Sequence, residues 1–251
     1  MSESPFFVGY LPLPRAWRGL YALLIVGFVV VFGAIGFLVG ASQDAPEAAG
    51  FRFDYGRQTV TGVIEMSPYP ILHVTEGTDR IPAGRSLLMS GQGKTGIDAR
   101  LAPMAGGLAQ VSGVALERGT IDLLQVRGGQ AGLSAVEETA PDIPVEPLGR
   151  WRLAGEICDG KCLTGAMRPG RGLAHKACAN LCILGEVPPV FVSSQPVEGT
   201  DFLLITGPDA TPLPRAAYDR IGQYISVEGD LERRGDLVVL RMDPESMELI
   251  E

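Results

Sequence analysis

The residues best suited to chemistry lie close together. All four cysteines fall between positions 158 and 182, as two C-x3-C pairs, Cys158 with Cys162 and Cys178 with Cys182, and His175 stands beside the second pair. Three kinds of chemistry fit. In an oxidising compartment the thiols can close two disulfides, nested as Cys158 with Cys182 and Cys162 with Cys178, with two other pairings open. Such a clasp would order a loop with little core of its own, since closing about 25 residues stabilises by roughly 3.5 kcal/mol in the chain-entropy treatment. Alternatively, a helix from Ala174 to Leu184 would set His175, Cys178 and Cys182 on one face, and with Cys158 or Cys162 they would form a tetrahedral site for zinc or copper(I). A redox-active dithiol is the third option, although catalytic pairs and zinc pairs are more usually C-x2-C.

These residues belong to an insert, 158–187, that also carries Leu163, Met167, Leu173, Leu181, Ile183 and Leu184. So many apolar groups must pack on the clasp itself or on another protein. The run Gly155, Asp159, Cys162, Gly165, Met167, Pro169-Gly170, His175, Cys178, Cys182, Pro188-Pro189 resembles a motif of uncharacterised bacterial exported proteins, where it precedes a similar β segment. The resemblance covers about 35 residues and implies no established activity. This chain has Gly185-Glu186 where the motif has Gly-Gly.

The insert interrupts an internal repeat. Val60–Ile64, Pro70–Val74, Leu87–Gly91, Gln110–Gly113 and Ile121–Val126 recur in order as Leu153–Ile157, Pro189–Val192, Leu203–Gly207, Ser226–Gly229 and Leu237–Met242. Glycine spacing agrees as well: Gly91 to Gly113 and Gly207 to Gly229 are both 22 positions, and Gly113 to Gly119 and Gly229 to Gly235 are both six. Five short strands per half, with a glycine-turned last hairpin, resemble the OB-fold, so the expected architecture is tandem OB-like five-stranded barrels. A β-sandwich of the same strands is the alternative. Between strands 1 and 2 the first half has 8 positions from Gly62 to Pro70, whereas the second has 34 from Gly155 to Pro189.

Upstream, Gly19 to Ala41 holds no charged residue and is long enough as a helix to cross a bilayer. Arg15 and Arg18 precede this span, Trp17 and Tyr21 sit at belt positions, and Asp44 and Glu47 follow. The positive-inside rule then puts the N-terminus in the cytoplasm of a bacterial inner membrane and the rest in the periplasm. A cleaved signal peptide ending at Val39-Gly40-Ala41 is the competing reading, and the apolar stretch is too long for it. The expected organisation is a foot (1–18, with Phe6, Phe7, Tyr10, Pro12 and Pro14), a span (19–41), a linker (42–54), a first barrel (55–127), a linker (128–147) and a second barrel (148–251).

Composition narrows the function. The net charge is -8 and aromatic residues are 7% of the chain, so neither a basic groove nor stacking platforms for nucleic acid are expected. Gly91-Gln92-Gly93-Lys94-Thr95-Gly96 looks like the end of a P-loop, but Leu88 stands where its first glycine belongs, and a glycine-rich turn explains it. His73 lies on an apolar strand and suits a core or edge position. With no acid–base constellation, catalysis is not expected. Two expectations remain. One is an accessory subunit that assembles or stabilises a multi-subunit integral membrane complex, of respiratory or electron-transfer type, and needs no cofactor. The other is a periplasmic protein that binds copper or zinc, or exchanges thiols, through Cys158, Cys162, His175, Cys178 and Cys182.

Overall fold

The computed structural model describes residues 13–42, 49–129 and 132–250. Phe6, Phe7, Tyr10 and Pro12 of the expected foot, and Asp44 and Glu47 beyond the span, lie outside the described residues. The chain forms two compact units, Met1–Pro46 and Glu47–Glu251.

The first unit is helical. A single 3-10 turn, Arg15–Trp17, leads into α1 (Arg18–Ser42), whose 25 residues reach about 38 Å. Trp17 and Tyr21 stack at 6.3 Å. Among the described residues, this is the one helix long and apolar enough to cross a membrane.

The second unit is built from strands: β1 (Gly50–Phe51), β2 (Gln58–Met66), β3 (Pro70–Glu76), β4 (Ser86–Ser90), the short helix α2 (Asp98–Leu101), β5 (Leu108–Arg118), β6 (Ile121–Val126) and β7 (Leu133–Val136). Then come β8 (Val145–Asp159), α3 (Lys176–Leu184), β9 (Pro189–Val197), β10 (Thr200–Thr206), α4 (Arg215–Tyr218), β11 (Ile225–Arg234), β12 (Leu237–Met242) and β13 (Glu248–Leu249). The first sheet runs β2-β3-β4-β6-β5 and closes from β5 onto β2; the second runs β8-β9-β10-β12-β11 and closes from β11 onto β8. In both, one pair is parallel, β4 with β6 and β10 with β12. The halves are therefore closed five-stranded barrels of one topology. The sandwich alternative does not hold, because closure leaves neither sheet open.

The repeated glycines sit where backbones cross. A Cβ on Gly62 would stand 2.3 Å from His73 O, and one on its counterpart Gly155 would stand 2.1 Å from Val192 O. At Gly113 and Gly229 the obstacles are Gln125 O and Arg241 O, both at 2.4 Å. Each barrel thus needs a residue without a side chain at the same two crossings.

Each barrel encloses its own apolar core, and a third cluster joins them. Ile71, Leu88 and Leu123 of the first barrel meet their repeat equivalents Val190, Leu204 and Val239 of the second. The barrels therefore face each other through equivalent surfaces. A polar network borders this contact: buried His73 reaches Ser86 Oγ at 2.9 Å and Glu65 Oε2 at 2.8 Å, and Glu65 pairs with Arg234 of the second barrel. Burial opposes ionisation of Glu65, but the hydrogen bond with His73 and the charge of Arg234 hold its carboxyl below the usual range.

The segment expected to be an exposed connector, 128–147, contains β7 and the first residues of β8. β6 pairs with β5 only from Gly113 to Arg118, and β7 covers the edge left at Leu108 to Val111. Those strand-edge groups need partners, which a periodicity reading of so short a segment does not reveal.

Candidate metal centre

Between β8 and β9 the chain leaves the second barrel and returns at almost the same point, where Gly160 N donates to Pro188 O at 2.8 Å. The first arm carries Cys162, and Thr164 Oγ1 holds its turn by donating to Gly160 O and Lys161 O. The second arm is α3, preceded by a 3-10 turn, Leu173–His175. Cys178 and Cys182, one helical turn apart, share a face of α3.

One carboxylate ties the arms together. Asp159 Oδ1 accepts from Cys162 N at 2.8 Å, while Oδ2 lies 2.9 Å from His175 Nε2. Asp159 and the His175 side chain are 0% and 1% exposed. The pair fixes where Cys162 stands relative to the start of α3.

The sulfurs converge as a result. Cys162 Sγ is 3.9 Å from Cys178 Sγ and 4.0 Å from Cys182 Sγ, and all three lie within 4.8 Å of one another. The centre of such a triangle is about 2.3–2.5 Å from every sulfur, close to the length of a metal–thiolate bond, about 2.3 Å. Asp159, Cys162 and His175 form a second group of donor atoms within the same limit.

Two lysines complete the surroundings, and sequence reasoning assigned neither to the site. Lys94 Nζ approaches to 2.5 Å from Cys178 Sγ and 3.7 Å from Cys182 Sγ. Buried Lys161 donates to Gly91 O at 2.6 Å and Gly93 O at 2.8 Å. Both contacts involve the glycine-rich loop between β4 and α2, which resembles a P-loop only in composition. Gly91 N bonds Thr95 O as Gly207 N bonds Thr211 O, so the loop is a turn that both barrels possess. It is pressed backbone to backbone against the end of α3, where Gly96 N donates to Gly185 O at 2.5 Å and a Cβ on Gly185 would meet Lys94 O at 2.0 Å.

The electrostatics are uneven among the thiols. Accepting a hydrogen bond from Cys162, together with the nearby Lys94 charge, draws the Cys182 thiol below its ordinary range against the effect of burial. Donating that hydrogen bond, with burial and Asp159 adding to it, pushes Cys162 up. The hydrogen bond with Cys178 raises Lys94, and burial lowers Lys161. Cys162 and Cys182 thus share a hydrogen bond beside the Lys94 amino group.

The expected nested disulfides are not what the structure contains. All four cysteines are free, and no two sulfurs approach to bonding distance. Cys158 lies apart from the other three: it stands next to last in β8, opposite Val190, and packs with Leu163 in the cluster between the barrels. Burial in that apolar setting pushes its thiol well up. The expected ligand set therefore divides into Cys162, Cys178 and Cys182, which converge, His175, which is engaged with Asp159 beside Cys162, and Cys158, which is elsewhere. Of the apolar residues in the insert, Leu163 and Ile183 are buried, whereas Met167, Leu173, Leu181 and Leu184 are 43–66% exposed.

No protein-family model matches the chain, and none of the curated proteins or solved structures compared with it matches.

Proposed function

We propose that this is a single-span protein of a bacterial-type inner membrane whose two periplasmic, OB-like barrels carry a soft-metal site, and that its function is to bind copper(I) or zinc rather than to catalyse a reaction. Arginines before the span support the orientation, and a closed strand order with one parallel pair per barrel supports the OB-like assignment. The observation that carries the function is the triangle of Cys162, Cys178 and Cys182 sulfurs, sized for one thiolate-bound ion. Thiolates select copper(I) and zinc among the available metals. Asp159 and His175 act behind Cys162 as its support, the arrangement by which outer groups orient metal ligands.

The test is equilibrium dialysis of the reduced full-length protein in detergent against each metal. Cys162→Ser, Cys178→Ser and Cys182→Ser should each lose stoichiometric binding, while Cys158→Ser should retain it. Retention of full binding by any of the first three would remove that residue from the site.

A second reading is favoured by the exposed Met167, Leu173, Leu181 and Leu184 around the same insert. They suit an accessory subunit that docks on an integral membrane complex. Copurification of a complex with the wild type, lost when Leu181 and Leu184 become Ser, would support it.

A further inference from the structure

The internal repeat shows what kind of place the cysteine cluster occupies. The neck of the insert, where Gly160 N donates to Pro188 O at 2.8 Å, corresponds to the β2–β3 turn of the first barrel, where Ser67 N donates to Tyr69 O at 3.4 Å. Each of these connections is met by the loop that follows the third strand of the opposite barrel. In the loop after β10, Leu213 N donates to the hydroxyl of buried Tyr69 at 2.9 Å. Its counterpart, the loop after β4, meets the insert. The seam between the barrels is therefore closed at equivalent ends, by a tyrosine at one and by the cysteine cluster at the other.

At the cluster the β4–α2 loop holds both arms of the insert. Lys161, next to Cys162 and 3% exposed, donates to Gly91 O at 2.6 Å and to Gly93 O at 2.8 Å. At the other arm Gly96 N donates to Gly185 O at 2.5 Å, and Gly185 N in turn caps α3 by donating to Leu181 O and Cys182 O. Glu186 takes φ 70° here, a conformation unfavourable for a residue with a side chain and kept only where neighbours impose it. The neighbour is Gly96, on which a Cβ would stand 2.4 Å from Glu186 O. Asp159 thus ties the arms from the second barrel, and this loop ties them from the first.

Resting on the metal-site reading above, we infer that the metal centre is shared by the two barrels: the β4–α2 loop is the template on which the arms of the insert meet, and metal occupancy is coupled to the docking of one barrel on the other. Bonds from one ion to Cys162, Cys178 and Cys182 fix the first arm relative to α3. They thereby hold Lys161 and Gly185 at the separation that lets both grip the loop. Without the ion the arms are freer to part, and the loop is held less firmly. Coupling of this kind is reciprocal, so what the ion does for the seam, the seam does for the affinity of the ion. The first barrel, which supplies no cysteine, thus responds to metal occupancy in the second.

The experiment is hydrogen exchange read by mass spectrometry on reduced full-length protein in detergent, with and without copper(I) from a chelator buffer and, in a parallel series, zinc(II). An ion that binds should slow exchange in the segment 91–97 of the first barrel by about 5–150-fold, the usual range of coupling between sites. Cys178→Ser should abolish that protection. Gly96→Ala, which presses the loop away from Glu186 O and leaves every cysteine in place, should weaken binding of the same ion by a factor in the same range. Lys161→Met should do so from the other arm. Stoichiometric binding with unchanged exchange at 91–97 would overturn the coupling and leave the metal site standing, as would wild-type affinity in both variants. Binding of neither ion by the wild type would overturn the metal site and this inference with it. Should the variants fail to fold, the exchange measured on the wild type decides.

Discussion

Removing the carboxylate that joins the two arms of the insert should be the most damaging single change at the centre. In Asp159→Ala, Cys162 N loses its acceptor and His175 Nε2 loses its partner, both in a region closed to solvent. Each of the two buried groups left unsatisfied costs about 1–3 kcal/mol, so the loss should total about 2–6 kcal/mol. For a folded unit of this size, at about 2–4 °C per kcal/mol, that lowers the melting temperature by about 4–24 °C. Asp159→Asn keeps an oxygen for Cys162 N and a polar group facing the imidazole, which can adapt by changing tautomer, so it should cost about 1 kcal/mol. Thermal melts of the detergent-solubilised protein followed by circular dichroism measure both. Because Asp159 positions Cys162, the alanine variant should also bind metal about 10–100-fold more weakly. If the alanine variant melts within about 2 °C of wild type, Asp159 does not tie the arms together and the derivation of the centre is wrong.

Other expectations follow from the barrels and the span. Burial and the neighbouring carboxylate of Glu186 push Asp98 up to about 6, above its value in the unfolded chain. Its folded form therefore binds a proton more tightly, and its contribution to stability is fullest below about pH 4 and falls as the pH rises through 6. Asp98→Asn should accordingly stabilise at pH 7.5 by about 1–2 kcal/mol, a figure reduced for a half-buried group, and the gain should vanish near pH 4 in urea melts. Gly229→Ala, whose Cβ meets Arg241 O at 2.4 Å, should destabilise by about 1–3 kcal/mol, and a change below about 0.5 kcal/mol would show that the crossing can open. A C-terminal alkaline phosphatase fusion should be active, and an inactive one would reverse the orientation of the span.

Much of the architecture could be read from residue spacing because the causes are local. An uncharged run such as Gly19–Ala41 has few alternatives to a membrane-length helix, and glycines recurring at equal intervals mark equal crossings of strands. The centre was less legible. A C-x3-C pair suggests joint action, yet Cys158 lies on the outer face of β8, where Ile157 takes the core side, and Cys162 follows a turn, so one faces the contact between barrels and the other faces α3. Lys94 lies 84 positions from Cys178, on a loop that composition assigns to an ordinary turn. Only the packing of one barrel against the other brings it to the sulfurs. Asp159 and Lys161 stand between the first two cysteines, but nothing in the sequence gives the direction of their side chains.

The central claim is that Cys162, Cys178 and Cys182 act together as free thiols on one ion. Native mass spectrometry of the full-length protein, extracted from its membrane without exposure to oxygen and alkylated in parallel, tests it directly. The account predicts one metal ion per chain, with three cysteines protected from alkylation until a chelator removes the ion. A metal-free chain whose mass is lower by two hydrogens for each bridge would show disulfides instead and contradict it.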